Sequence, residues 1–313
     1  MSTVSTSAAE DQPKARINKP FKGIALMFLS TFFFAAMHGV IRYLTDFMHP
    51  FEAAFFRNVF GLLFVLPWFI RYGLQPLQTS HFSLHAFRAM VNVVAMLCFF
   101  YAISITPLAE VTALGFAAPI FATVLAAIVL GERVRLRRWL AVIIGFIGTL
   151  IILRPGFADI GIGQILVMTS TIFWAVALLL IKTVSRYDSS ITIITYMSLL
   201  QLPISLIAAM FFWTWPGIEL LPWLLALGFL GGGAQWLMTE ALRITDTSVV
   251  MPIDFCKLPW AALLAYLAFA QIPDIYTWVG GIVIFSCTLY IAYRERLVKQ
   301  GDETSSSNRA TAG

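Results

Sequence analysis

Asp254 and Lys257 stand three residues apart in an otherwise apolar run, so on a helix they share one face and can neutralise each other. Such a pair is either a permanently closed structural ion pair or one that opens to hold a charged or zwitterionic solute. Arg57 lies about six residues into another apolar run, where its long stem can snorkel toward the membrane surface. There it would hold a carboxylate, or pair with Asp46 or Glu52. Glu110 opens a further run, and a carboxylate in that place either exchanges a proton or caps the positive end of a helix. Groups of this kind cost several kcal/mol inside hydrocarbon and are functional candidates for that reason. His38 either titrates or packs as a hydrogen-bonded neutral ring.

Aromatic residues fall near the middle of the apolar runs: Phe34, Phe100, Tyr101, Phe116, Trp174 and Trp236. A cavity lined by such rings suits a planar or cationic organic solute through stacking and cation–π contact, although each ring can equally face lipid or pack the bundle. Pro119, Pro252 and Pro259 each interrupt a helix-length run, since proline has no N–H and its ring clashes with the carbonyl four residues back. His81 and His85 have the i,i+4 spacing of two metal ligands, but no Cys, Asp or Glu stands beside them in the sequence to complete a shell. No Walker A loop, G-x-G-x-x-G, H-E-x-x-H or G-x-S-x-G pattern occurs. The sequence thus predicts no catalytic residue, no metal site and no cofactor.

The elements that must position these residues follow from composition. Of 313 residues, 59% are hydrophobic and 12% charged, with mean hydropathy +0.84. A soluble domain carries roughly twice that charged fraction. The expected class is therefore an all-α polytopic membrane protein, and nucleic-acid binders, disulfide scaffolds and ordinary cytosolic enzymes are excluded. Cys98, Cys256 and Cys287 sit inside apolar runs and read as small buried hydrophobes. Ten transmembrane helices are expected at about residues 21–44, 51–71, 84–104, 108–131, 136–153, 160–182, 189–212, 220–240, 247–270 and 275–293.

Placing the amino terminus in the cytoplasm puts seventeen Lys and Arg residues on that side, among them Lys14, Arg88, Arg133, Lys182 and Arg243, and leaves Arg42 and Arg154 opposite. That bias predicts both termini inside. The expected organisation is a cytoplasmic disordered stretch over residues 1–20, five-helix units over 21–155 and 156–293, and a disordered cytoplasmic tail over 294–313.

Those two units are copies. At an offset of 140, Ser30-Thr31-Phe32-Phe33-Phe34-Ala35 aligns with Ser170-Thr171-Ile172-Phe173-Trp174-Ala175; at 139, Ala102, Ile105, Thr106, Val111 and Phe116 meet Ala241, Ile244, Thr245, Val250 and Phe255. With five helices each, the second copy must enter the membrane from the opposite face, giving two inverted five-helix repeats. Secondary transporters are commonly built this way, with the solute site between the halves, where paired helix breaks mark it. Small-residue stripes at Ala109, Ala113, Ala117 and at Ala261, Ala265 would let backbones approach closely there.

The run T-P-L-A-E-V-T-A-L-G-F-A-A-P-I-F-A-T-V-L-A-A-I-V-L-G-E-R from Thr106 to Arg133, followed by R-W-L-A-V-I-I-G-F-I-G-T-L-I-I-L-R-P from Arg138 to Pro155, resembles the EamA domain of the drug/metabolite transporter superfamily. The second half carries Gln271 where the first has Glu132, and Ile284 and Cys287 where the first has Gly145 and Gly148. The segment His49 to Asn58, H-P-F-E-A-A-F-F-R-N, is similar to that of family members that take up S-adenosylmethionine; other members carry riboflavin or amino-acid derivatives. The resemblance implies a multi-pass protein of the bacterial inner (plasma) membrane that moves a small-molecule substrate by alternating access. It would contact membrane lipid and no nucleic acid. Proton coupling and a homodimer stay open in this reading. Two alternatives compete with it. An intramembrane enzyme acting on a lipid-linked substrate would need a cluster of acid, base or metal groups near one interface. A membrane sensor would ordinarily bring a soluble output domain.

Overall fold

The computed structural model describes residues 20–129, 136–154, 160–245 and 250–287, together with 289, 290 and 293. The stretches expected to be disordered, apart from Pro20, which begins α1, lie outside these, as do Arg133, Arg135 and the boundary between the two units at residue 155. Among the described residues all regular structure is helical: α1 (Pro20–Leu44), α2 (Pro50–Tyr72), α3 (Phe82–Ile105), α4 (Leu108–Gly115), α5 (Ala118–Val129), α6 (Leu136–Leu153), α7 (Ile162–Val184), α8 (Ser190–Met210), α9 (Leu221–Ile244), a 3-10 turn at Met251–Cys256, α10 (Lys257–Phe269) and α11 (Ile275–Cys287). Six of these helical stretches are long and apolar enough to cross a membrane, within α1, α2, α3, α7 and α8 and over Ile218–Ile244. Large apolar side chains such as Leu63, Leu66, Ile143, Ile147 and Leu267 stand exposed on the outside, a surface that water does not tolerate and lipid does.

Sequence chemistry fixes several helix starts. Pro50 opens α2 behind a capping box, in which His49 Nδ1 accepts from the Phe51 N–H at 3.3 Å and the Glu52 carboxylate accepts from the His49 N–H at 3.1 Å. The Ser189 hydroxyl accepts from the Thr192 N–H at 3.1 Å and starts α8. The fourth and ninth apolar runs are broken rather than continuous. Pro119 falls in the first turn of α5, where its missing N–H does no harm; continued back into α4 it would leave the Gly115 carbonyl without a partner. Pro252 falls in the 3-10 turn, and Pro259 in the first turn of α10, with the same consequence for the Phe255 carbonyl.

The repeat has a direct structural counterpart. Ser30 on α1 donates its hydroxyl to the Ala234 carbonyl of α9 at 2.8 Å, and Ser170 on α7 donates to the Ala95 carbonyl of α3 at 2.7 Å. Donors and acceptors are related by the same offsets of 140 and 139 read from the sequence. Gly23 likewise abuts Thr245, as Gly163 abuts Thr106; a Cβ on either glycine would overlap the threonine Oγ1, at 2.0 and 1.8 Å. Each first helix of a repeat therefore packs antiparallel on a helix of the other repeat, α1 on α9 and α7 on α3, and these are the two most extensive helix pairings. Because Arg42, near the end of α1, donates to the carbonyls of Ile103 and Ser104 at the end of α3, α1 runs parallel to α3 and hence opposite to α7. Ala109, Ala113, Ala117, Ala261 and Ala265 are all buried, and α4 packs against α10.

Two basic residues behave differently from loop charges. The Arg88 side chain is fully buried between α3 and α8, donating to the Ile193 carbonyl at 3.3 Å and approaching Met197 Sδ at 3.5 Å. Arg154, at the end of α6, pairs with Asp274 at 2.9 Å and lies 4.5 Å over the Tyr276 ring.

Candidate functional site

A cavity of about 120 Å³ lies among α1, α2, α3, α4, α7, α9 and the 3-10 turn before α10. Both repeats contribute to its wall. Of the residues expected from sequence, Phe34, His38, Arg57, Phe100, Phe116, Trp174, Asp254 and Lys257 line it. The paired helix breaks adjoin it through Gly115 and Phe116 on one side and Asp254 on the other.

Lys257 Nζ lies 2.5 Å from Asp254 Oδ1 and 4.4 Å from the centroid of Phe34. The ammonium is thus held between a carboxylate and a ring face, both of which stabilise it away from water. The i,i+3 spacing is met across the junction of the 3-10 turn and α10, not on one continuous α-helix.

Arg57 is 7% exposed. Its Nη1 donates to Asn58 Oδ1 at 3.3 Å and to Met96 Sδ at 3.4 Å, both neutral acceptors. Neither Asp46 nor Glu52 forms an ion pair with it. Glu52 is fully buried and occupied elsewhere, accepting from the His49 N–H and from the Thr214 N–H and hydroxyl. His38 is buried beside Phe99, ring centroids 4.9 Å apart, and its Nδ1 finds no hydrogen-bond partner.

Three expected residues lie away from the cavity. Tyr101 joins an aromatic cluster with His49 and Phe51, centroids 5.8 and 6.0 Å away, over which Phe212 stacks on His49 at 3.9 Å. His49 is an end-cap rather than a membrane residue, and its burial, only partly offset by Glu52, lowers its pKa. Trp236 packs on Trp68 at 5.9 Å. Glu110 accepts from Gln164 Nε2 at 3.1 Å, tying α4 to α7. Gln235 and Asn92, uncharged and so unmarked in the sequence, also line the cavity. The side-chain Nε2 of Gln235 is buried without a hydrogen-bond partner. Both are polar amides inside long charge-free runs, a signal as informative as an ionisable group when the surroundings are hydrocarbon.

His81 and His85 do not converge on one point. The His81 ring stacks on Tyr187 at 4.4 Å, whereas His85 Nε2 and the Thr79 hydroxyl both meet Asp188 Oδ2 at 2.8 Å. The carboxylate missing from the local sequence is supplied by the turn after α7. Among the described residues no three His, Cys, Asp or Glu side chains come together as a metal site.

The two halves, with a shared cavity and matched contacts, correspond to two family matches. Residues 21–154 and 161–293 each match the EamA-like transporter family. The chain belongs to that family. This EamA-like protein is 30% identical over 274 residues to the S-adenosylmethionine uptake transporter of Rickettsia bellii, covering 88% of this chain and 94% of that one. It is also 30% identical over 282 residues to the riboflavin transporter of Vibrio cholerae, again covering 88% and 94%. The riboflavin transporter of Rhizobium johnstonii is 32% identical over 246 residues, 78% of this chain and 81% of the relative. One solved crystal structure shares the fold with a TM-score of 0.64 over 88% of this chain and 98% of the other, at 17% identity. This EamA-like chain is a multi-pass membrane protein of a transporter family, and neither the family nor these relatives support the enzyme alternative.

Proposed function

We propose that this chain is a secondary carrier that moves a small organic metabolite across the bacterial inner membrane by alternating access. The candidate cargoes are S-adenosylmethionine and riboflavin, from the names of its relatives, and amino-acid derivatives, from the family resemblance. In this reading ten spans form two inverted five-helix repeats, over residues 21–155 and 156–293, with α4–α5 serving as the fourth span and the 3-10 turn with α10 as the ninth. Both termini then lie in the cytoplasm. The observation that carries the proposal is the cavity itself: the broken helices of both halves border it, and it holds buried ionisable and amide groups that packing alone does not require. Asp254, Lys257, Arg57, His38 and the rings of Phe34, Phe116 and Trp174 are the proposed contacts to the solute. Half-buried Glu110, which accepts from Gln164, is the candidate for proton coupling.

Two measurements test this. Proteoliposomes holding the purified chain should show counterflow of one of these metabolites with no nucleotide present; strict ATP dependence would exclude a secondary carrier. Single cysteines, placed in a background without Cys98, Cys256 and Cys287, test the topology. Leu74→Cys should react with membrane-impermeant thiol reagents only from the cytoplasmic face and Trp215→Cys only from the opposite face. Labelling of both from one face refutes the arrangement.

A further inference from the structure

Arg57 is the cavity's uncompensated charge. Among the described residues no carboxylate lies within 4.0 Å of it, and its Nη2 and Nε make no hydrogen bond. The group is nevertheless held in place. A Cβ on Gly231 of α9 would come within 3.0 Å of Arg57 Nε and 3.4 Å of Cγ, so the stem packs against backbone while the guanidinium borders the cavity. A guanidinium in a site of low polarity costs several kcal/mol, and an anion beside it offsets that cost most fully; buried Arg88, by contrast, is closed into packing by the Ile193 carbonyl and does not border the cavity. The remaining charges cannot supply one: Asp254 is neutralised by Lys257, and Glu52 is engaged by Thr214 and His49.

We infer that the solute is a monoanion in which a carboxylate is attached to a planar ring, directly or through one methylene, with the carboxylate seated on Arg57. This rests on the carrier reading above and names a cargo class beyond the solutes named for the relatives. A planar guanidinium accepts a carboxylate through two parallel N–H donors. One such anion makes the site neutral. A phosphate dianion would leave an excess negative charge, and a solute of net positive charge would add to the charge already present. Gln235 Nε2, free of any hydrogen bond, offers a second donor, and Phe34, Phe116 and Trp174 give flat surfaces for the ring. S-adenosylmethionine offers Arg57 a carboxylate but brings a net positive charge, and riboflavin has no carboxylate, whereas an aromatic acid supplies the carboxylate and leaves the site neutral.

The test is binding to the full chain in detergent, read by thermal shift, with ring-matched acid and amide pairs: indole-3-acetate against indole-3-acetamide, and nicotinate against nicotinamide. At least one acid should half-saturate at about tenfold lower concentration than its amide. Arg57→Gln should abolish that preference, and Arg57→Lys should retain part of it. The wild-type acid–amide comparison holds even if a variant fails to fold. Amides that bind as well as acids, a preference that survives Arg57→Gln, or no acid binding at millimolar concentration would each overturn the inference. Because no vesicle is involved, those results stand apart from the counterflow experiment: carriage of riboflavin without acid binding removes this inference and leaves the carrier.

Discussion

Phe116 and Phe255 stack on one another with ring centroids 4.3 Å apart and planes inclined by 28°. They occupy equivalent places in the two repeats, 139 residues apart, each beside a helix break, so the broken helices meet through their own equivalent residues. A contact between equivalents lies on the pseudo-symmetry axis, the natural pivot if the two halves rock past each other.

A double-mutant cycle measures that contact. Phe116→Ala and Phe255→Ala should each lower the melting temperature, and their combination should cost less than the sum by about 1 kcal/mol, the scale of an aromatic pair. Counterflow should fall in both single variants. Additive stability losses would mean that the rings pack independently.

Asp254 and Lys257 should show a different pattern. Removing one member leaves a poorly compensated charge, so Asp254→Asn or Lys257→Met should each destabilise by about 3 kcal/mol. The double variant should recover most of the melting temperature but not counterflow, because the groups that meet the solute are gone. Full recovery of both would assign the pair a purely structural role.

Gly163 and Thr106 form one of the two matched close approaches between halves. Gly163→Ala should cost about 1–3 kcal/mol by forcing α7 away from α3. Adding Thr106→Ala removes the obstructing hydroxyl and should restore much of that loss. The same rescue is expected for Gly23→Ala with Thr245→Ala, and its absence at both sites would rule out the steric account.

Asp188, in the turn between α7 and α8, gives a pH signature. Burial pushes its pKa up, but the hydrogen bonds from His85 and Thr79 outweigh burial and hold it below the usual value. A carboxylate whose folded pKa is depressed adds stability above its unfolded pKa, about 3.9, and loses it as the pH falls through the folded value. Asp188→Asn should therefore lower the melting temperature at pH 5–7, by the equivalent of about 1–2 kcal/mol. That gap should close below about pH 4. A gap that persists unchanged in acid would mean that the carboxylate charge contributes nothing.

Much of this protein was legible as a line of residues because lipid imposes a strict rule: every buried backbone polar group must be paired within its own segment. Apolar run length therefore marked the helices, and the self-match at 139–140 pairs Ser30 with Ser170, which make equivalent hydrogen bonds. The prolines marked the breaks. Site membership was harder to read, because one residue's rotation on its helix decides whether it meets cavity, neighbour or lipid. Trp174 and Trp236 look alike in sequence, yet one lines the cavity and the other packs on Trp68. Gln235 and Asn92 were passed over because an amide carries no charge.

By itself, the sequence determined the membrane class, the duplicated plan and the charged residues that lie in the apolar runs, since these depend on composition and spacing, while the family followed from the resemblance carried by Thr106 to Pro155. Only the tertiary structure decided which charges have partners. Beyond the Asp254–Lys257 pair, which its spacing foretold, it gave Glu52 to Thr214, Asp188 to His85 and Asp274 to Arg154, and it left Arg57 with neutral neighbours. Charges find each other across space, between helices that lie far apart along the chain, and no local pattern records that distance.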